Sequence, residues 1–480
     1  MFLSVIILSM SDVYNKTMEY FSQLTQIPRV SGKEEGVRDR LIQWAIINGF
    51  MYKQDEVGNL AIHVPASLGY EDTDALIIQS HMDMVPVKTP ESTHDFLKDP
   101  ITTYIENDRM KAVNTTLWAD NGIGLAMSLA ATSVPHPRLE LLFTVEEETS
   151  LLGARKLNPS LLWLSSQFLL NLDTEENGEI CIASAGGVSI NVTKKYETQE
   201  GTLSQYEISL TWGIGWHSGT EIHLGRANAN IVLMQLLAHY PGQRELSSIQ
   251  WGQASNAIPA ECTAVIGIQD KQHFEAYFTA YIADQKTKYT DQNLLWSLRE
   301  KDLVAPILLD PRSLFTTIMA LPIGVREMHP SIADFVQTSV NLGIVSLADG
   351  QVNMCYMPRW SQDDSFDILI QEIENHYNAI GFDVHIEEKI PGWSQSPHDS
   401  FVTLVKNQYD ILLGKEAKIV AVHAWLECGA IAGKFKPNLQ AVSLWPDIKF
   451  PHSPQEKVYL PSVKNVSQLV EKIFYAFLHR

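Results

Sequence analysis

Apolar positions recur with a helical period over Val13–Leu24 and Glu34–Asn48, which predicts two amphipathic helices. Tyr52–Val64 is broken by Asp-Glu-Val-Gly-Asn and predicts a hairpin. Three short apolar runs follow, Ala75–Ser80, Leu139–Val145 and Phe168–Leu172, each reading as a buried strand. Helical segments lie between them, including Ile123–Thr132. This alternation predicts an α/β domain with a mostly parallel sheet wrapped by helices.

The pattern changes after Ala185-Gly-Gly187. Strand-like segments (Ser189–Thr193, Tyr206–Thr211, Cys262–Ile268) alternate with helices over Ala227–Tyr240 and Gln272–Lys288. Val340–Leu347 and Gln351–Met357 flank Asp349-Gly350, a strong hairpin signal. A helix over Phe366–Ile380 and a strand over Phe382–Ile390 close this block, which reads as an α+β insertion. The first pattern resumes near Pro391 with a helix, the strand Lys418–Val422 and a terminal helix over Val463–Leu478. The expected organisation is a catalytic domain of residues 10–187 and 391–480 with an inserted domain of residues 188–390.

At 480 residues the chain exceeds one ordinary core, in line with two domains. Its net charge of −20 opposes nucleic acid and anionic membranes as partners. Cys181, Cys262, Cys355 and Cys428 lie far apart, which suits reduced thiols in a cytoplasmic protein rather than a disulfide frame or a cysteine zinc site. Met1–Ser9 is apolar but short, without a basic leader, and Met10 is an alternative start. No apolar run is long enough to span a bilayer.

The three predicted strands end at His81-Met-Asp83, Glu146-Glu147-Glu148 and Asp173. In open α/β sheets the C-terminal strand edge is where ligands bind. Asp120, in Thr115–Gly124, and His452 complete a set of two imidazoles and three carboxylates with His81, Glu148 and Asp173. These donors suit zinc and similar divalent ions, and they can serve two if one carboxylate bridges. Glu147, beside Glu148, is placed to act as a base, and Asp83, two residues after His81, can orient its imidazole. Alone, each residue has a plainer reading: a strand-end histidine, a turn aspartate or helix cap, a solvated acidic run. Together they would need five accidents at one sheet edge.

The ordered runs Gln79–Pro86, His94–Phe96, Thr115–Gly124, Glu147-Glu148, Asn171–Asp173, His217–Gly219, Asn256–Pro259, Pro391–Trp393, Leu426–Gly429 and His452–Pro454 resemble the dizinc aminoacylase/carboxypeptidase/dipeptidase family, specifically the bacterial aminoacyl-histidine dipeptidases. The resemblance covers nearly the whole chain. It implies a zinc-peptidase-like fold whose insertion is a lid and dimerisation domain, two divalent ions (zinc, with cobalt or manganese fitting the same donors), a small peptide substrate and a cytoplasmic homodimer. By the same resemblance His81 and Asp173 hold one ion, Glu148 and His452 the other, and Asp120 bridges. Glu147 is then the general base, Asp83 orients His81, and the Asp120–Asn121 peptide is cis. His217 polarises the scissile carbonyl in the partner subunit's site, while Asn256 and Arg359 bind the peptide's terminal carboxylate. The implied activity is hydrolysis of dipeptides of the Xaa-His type. Amide hydrolysis of N-acyl amino acids is an alternative, and so is a catalytically dead peptide-binding homologue.

The chain departs from that family in one systematic way. Trp118, Trp216, Trp425 and Trp445 stand where its motifs carry glycine, and Trp212 and Trp251 fit the same pattern, whereas Trp393 matches a family tryptophan. Overpacking costs roughly 1–3 kcal/mol per site, so several such replacements would consume a typical stability of about 5–15 kcal/mol. Drift does not choose one replacement repeatedly. The pattern therefore predicts that the source reads UGA as glycine. Sequencing the gene checks this: UGA is expected at codons 118, 216, 425 and 445, and UGG there would make the tryptophans real and favour the dead homologue.

Overall fold

The computed structural model describes residues 12–174, 176–211, 216–252, 254–289, 293–302, 305–321, 323–329, 335–361, 366–435 and 439–480. Trp212 therefore lies outside the described residues. The chain forms two compact units. The first comprises residues 1–183, 393–421 and 426–480, and the second residues 184–392 and 422–425.

The first unit is built on a nine-stranded sheet. Its path runs Met51–Gln54, Leu60–Val64, Leu139–Thr144, Leu76–His81, Phe168–Asn171, Gln440–Ser443, Glu179–Ser184 and Trp393–Ser394, and the ninth strand, Lys418–Val422, pairs with Glu179–Ser184 off this path. Leu139–Thr144, Leu76–His81, Phe168–Asn171 and Gln440–Ser443 pair in parallel. Leu76–His81 and its two neighbours are buried at every position, which is why their sequences read as continuous apolar runs. Flanking this parallel centre, the pairs Met51–His63, Leu60–Phe143 and Ser443–Cys181 are antiparallel. The helices Asp12–Leu24 and Ala119–Ala130 pack against each other, as do Ser400–Leu413 and Leu460–Phe477. One core joins these helices to the sheet through residues such as Phe21, Leu76, Ile123, Phe143, Val405 and Phe474.

A small sheet in the same unit was not foreseen. Ile448–Lys449 and Lys457–Tyr459 form a hairpin that pairs with Arg109–Ala112, itself paired with Thr103–Glu106. These strands are too short and too exposed to leave a hydrophobic period in the sequence. Their consequence is local: the hairpin's connecting segment carries His452.

The second unit holds a ten-stranded sheet with antiparallel pairings. Its long hairpin, Val336–Ala348 with Gln351–Trp360, turns at Asp349-Gly350 as the sequence predicts. The helices Ala229–His239, Lys271–Lys288, Pro311–Ala320 and Phe366–Ala379 bury their apolar faces in this unit's own core. Strands at Arg244–Trp251 and Leu295–Glu300 complete it and were missed in the sequence.

The tryptophans fare differently. Trp118 adopts φ 64°, ψ 22°, left-handed backbone that disfavours any residue with a Cβ by about 1–2 kcal/mol. It is 1% exposed, and its indole N–H is buried without a partner. Trp425 and Trp445 also leave a buried indole N–H unpartnered. Trp251, by contrast, sits in a regular strand and donates to the Thr263 carbonyl at 2.7 Å. Trp163, at φ 56°, shares the left-handed backbone and joins the positions where the codon is informative. Trimming a genuinely selected buried tryptophan costs about 3–5 kcal/mol. If position 118 is built for glycine, Trp118→Gly is expected to keep or raise the melting temperature; a loss of that size in thermal unfolding would make the indole integral to the core.

Candidate metal centre

His81, the Glu147-Glu148 pair and Asp173 lie at or just beyond the ends of strands, whereas Asp120 and His452 come from a helix start and a hairpin connection. The strand Leu76–His81 delivers His81 as its last residue, and Asp83 follows two positions later. The strand Leu139–Thr144 is followed by Glu146 in left-handed backbone, which turns the chain so that Glu147 and Glu148 open a short helix. Asp173 follows the strand Phe168–Asn171. Asp120 lies at the start of Ala119–Ala130, where its own dihedrals and those of Asn121 are non-helical and the peptide between them is cis. Gly124 has a specific packing reason: a Cβ there would lie 2.8 Å from the Leu172 carbonyl oxygen, so glycine lets this helix approach the strand that ends at Asp173.

The structure brings His81, Asp120, Glu147, Glu148, Asp173 and His452 together. Asp120 lies between the two imidazoles, its Oδ1 3.1 Å from His81 Nε2 and its Oδ2 3.2 Å from His452 Nε2. Asp173 Oδ1 is 3.5 Å from His81 Nε2, and Glu148 Oε2 is 2.9 Å from His452 Nε2. Glu147 Oε2 stands further off, 4.0 Å from His81 Nε2. Two groups able to hold a metal ion thus share Asp120: His81 with Asp120 and Asp173, and Asp120 with Glu148 and His452.

Asp83 does more than face an imidazole. Its Oδ1 lies 3.2 Å from His81 Nδ1 and accepts the Glu147 N–H at 3.0 Å. Its Oδ2 accepts the Glu148 N–H and the Ser31 hydroxyl. One fully buried carboxylate therefore fixes both a strand-end histidine and the turn carrying two acids. Asn121 Nδ2 likewise donates to Asp173 Oδ1 at 2.6 Å and to the Leu172 carbonyl.

The electrostatics call for positive charge. Burial, with the coulombic pressure of its neighbours, pushes Asp173 up to about 7, and raises Glu147 and Glu148 above the usual carboxylate range. Burial works against protonation of His452, yet Asp120 and Glu148 override it and lift the imidazole to about 12. His81 is raised the same way, against burial, by Asp173, Asp120 and Asp83. At an effective dielectric of about 20, unit charges ~4 Å apart interact by about 4 kcal/mol, so this many acids cannot all be ionised without cations between them. Glu148 Oε1 is buried with no partner, a donor atom held ready. The residues fit two divalent ions: oxygen and imidazole donors and one shared carboxylate.

Three contributors had no role assigned from the sequence, although Glu427 lies in the recognised run Leu426–Gly429. Arg29 is buried and donates to the carbonyls of Met82, Asp83 and Trp118. Glu456 is buried and accepts from four backbone amides at residues 117–120. Glu427 is buried against Gln79 and Thr144, and burial raises it to about 7. A lone Arg after Ile-Pro, or Glu four residues past a histidine, carries no periodic signal.

His217, Asn256 and Arg359 belong to the second unit. His217 and Asn256 are neighbours there: Trp216-His217 pairs with Ala257-Ile258, and the Ser218 N–H donates to the Asn256 carbonyl. His217 Nδ1 accepts from the Gly219 and Thr220 amides at 3.2 and 3.1 Å, which leaves the ring proton on Nε2. Arg359 is 1% exposed and lies under the Trp425 ring, 4.9 Å from its centroid. Burial lowers its guanidinium to about 10.

A parallel-centred sheet whose strand ends gather two imidazole–carboxylate groups around one aspartate defines a metal-dependent hydrolase, and the chain belongs to Peptidase family M20/M25/M40, which matches residues 77–476. It is thus a peptide-bond hydrolase with a site for two metal ions. It is 33% identical over 468 residues to the cytosol non-specific dipeptidase of Escherichia coli (strain K12), covering 95% of this chain and 96% of that one. Among solved structures it resembles the aminoacylhistidine dipeptidase of Vibrio alginolyticus, with a TM-score of 0.80, 30% identity and coverage of 95% and 96%. The aminopeptidase PepT of Bacillus cereus shares the fold at a TM-score of 0.57 and 15% identity, covering 97% of this chain and 99% of that one.

Cations bound only by the folded chain stabilise it by RT ln(1 + [L]/Kd), about 4 kcal/mol at a thousandfold excess over Kd. Chelation removes two such contributions, about 8 kcal/mol, and is therefore expected to lower the melting temperature by roughly 8 °C, at about 1 °C per kcal/mol for a chain of this length. Zinc added back should restore it. An unchanged scanning-calorimetry trace after chelation would contradict a two-ion site.

Proposed function

We propose that this chain is a cytoplasmic dizinc dipeptidase acting on short peptides, Xaa-His dipeptides first among them, as a homodimer formed through its second unit. The observation that carries the reading is Asp120 set between two imidazoles, each with a further carboxylate, with Glu147 alongside. The relatives named as dipeptidases, each matched over 95% of this chain, support the substrate class.

His81, Asp120 and Asp173 would hold one ion, and Asp120, Glu148 and His452 the other. Such ions, when bound, supply Lewis acidity and lower the pKa of water. Glu147 then takes the proton of the attacking water and returns it to the leaving amine, the two halves of one general acid–base role. Asp83 keeps Glu147 in register through its backbone N–H while it fixes the orientation of His81. His217, with its ring proton on Nε2, donates to the carbonyl oxygen as charge develops there. Asn256 and the guanidinium of Arg359 receive the peptide's terminal carboxylate.

One observation favours a second reading, a peptide-binding homologue without turnover. The Trp425 ring covers Arg359, whose Nε and Nη1 are buried without partners. If that indole is genuine, the carboxylate-binding end of the site is closed.

A hydrolysis assay on carnosine-type and unsubstituted dipeptides, with and without chelator, tests the proposal. Glu147→Gln is expected to retain two ions per chain and lose roughly 10²–10⁴-fold in kcat. Full metal content with no turnover of any dipeptide by the unmodified chain would leave the binding homologue standing. Turnover of N-acyl amino acids alone would make the enzyme an amidohydrolase.

A further inference from the structure

We propose that Glu456 and Arg29 are positioning residues that fix where Asp120 stands between the two cation sites. The inference rests on the two-ion reading of that site and adds what holds its central carboxylate in place.

Glu456 is 2% exposed and sits four residues after His452. Its Oε2 accepts the N–H groups of Leu117 at 2.7 Å and Trp118 at 3.2 Å. Its Oε1 accepts those of Ala119 at 2.9 Å and Asp120 at 3.2 Å. Four successive amides therefore point at one carboxylate, a backbone anion nest filled from within the chain. The left-handed backbone at residue 118 is what turns them to one side. From the other direction Arg29 Nη2 donates to the Trp118 carbonyl at 2.6 Å, while its Nη1 donates to the carbonyls of Met82 and Asp83 at 2.9 and 2.7 Å.

These bonds connect three of the five segments that supply the shared site, those carrying His81, Asp120 and His452. Glu456 ties the Asp120 backbone to the segment carrying His452. Arg29 ties the same peptides to the end of the strand carrying His81. With the backbone held on both sides, the Asp120 carboxylate keeps only its side-chain torsions, and its two oxygens face the two imidazoles. Metal sites need donors held to within about 0.5 Å, and outer contacts of this kind are worth roughly 10–100-fold in metal affinity. A glutamine at 456 presents an NH2 to two of the amides, so its near-identical shape does not preserve the nest.

The test uses the full chain, stripped of metal and titrated with Zn²⁺ against a chromophoric chelator, with the visible spectrum of the Co²⁺-loaded protein as a second readout. Wild type is expected to take two cations per chain. Glu456→Ala and Glu456→Gln are expected to bind 10–100-fold more weakly with a changed Co²⁺ spectrum, and acetate is expected to restore part of the affinity of Glu456→Ala. Glu140→Gln is the control for general destabilisation. Glu140 is a 1% exposed carboxylate on the strand Leu139–Thr144 that accepts the amides of Ser165 and Ser166, far along the strand from the centre. It should lose thermal stability and keep wild-type cation affinity. Arg29→Lys, which keeps the charge and loses the fork, carries the test if the Glu456 variants fail to fold, and is expected to weaken binding at least tenfold. Two cations bound within threefold of wild type by folded Glu456 or Arg29 variants would overturn the proposal, as would an equal loss in Glu140→Gln. A wild-type chain that binds no cation would instead overturn the two-ion reading beneath it.

Discussion

Negative charge crowded around Asp120 is the constraint to which the rest of the first unit answers. Asp120, Glu147, Glu148 and Asp173 converge with two imidazoles, and Asp83, Glu427 and Glu456 stand close behind. Left to themselves, such groups would separate or take up protons; burial raises the carboxyls of Glu147, Glu148, Asp173, Glu427 and Glu456, while, against burial, the imidazoles of His81 and His452 hold Asp120 low and His81 holds Asp83 low. What prevents separation is that nearly every one is fastened to backbone or to a neighbour: Asp83 to the Glu147 and Glu148 amides, Asp173 to Asn121, Glu456 to residues 117–120. The structure holds a mutually repelling set in place, and such a set becomes favourable only when cations enter it.

The fastening also explains the architecture. A parallel sheet centre delivers its strand ends to one edge, which brings His81, the Glu147-Glu148 turn and Asp173 together without any loop having to travel. Asp120 and His452 come from elsewhere, one from the start of a kinked helix and one from a short hairpin. They need separate braces, and those braces are buried ions. Buried ions are costly unless fully paired. Here the pairing groups are the backbone amides and carbonyls of the very segments being positioned, so one interaction both satisfies the charge and sets the geometry.

This division marks what could be read from the sequence. Strand-end residues were legible because an unbroken apolar run stops at a histidine or carboxylate, a change of pattern visible without any structure. The wrapping helices and the second unit's long hairpin were legible for the same reason of periodicity. His452 entered as a donor of the right chemistry with no periodic signal to place it, since its hairpin strands are two and three residues long. Arg29 and Glu456 left no trace, and Glu427 stood in a recognised run without a role, because each acts through backbone groups or side chains tens to hundreds of residues away, and nothing local specifies that. The hairpin within Tyr52–Val64 was legible from its turn, whereas the antiparallel pairing of Leu60–Val64 with Leu139–Thr144 and of Ser443 with Cys181 was not, because a flanking strand looks alike in either direction.

The tryptophan at 118 shows the same logic from the backbone side. An unpartnered indole N–H does not by itself mark a misplaced tryptophan: Trp393, which matches the family, lacks a partner too. The dihedral angles carry more. Four successive amides converge on Glu456 around a left-handed residue 118, and glycine reaches that conformation without a Cβ penalty. A side chain at this position gains whatever its burial provides but works against the turn that places Asp120. An indole satisfies the packing and not the turn, whereas glycine satisfies the turn and leaves the packing to Phe96 and His94, which already lie 6.2 and 6.5 Å from the ring. Since the centre depends on the turn, the site's own geometry argues for the smaller residue, independently of any comparison with relatives.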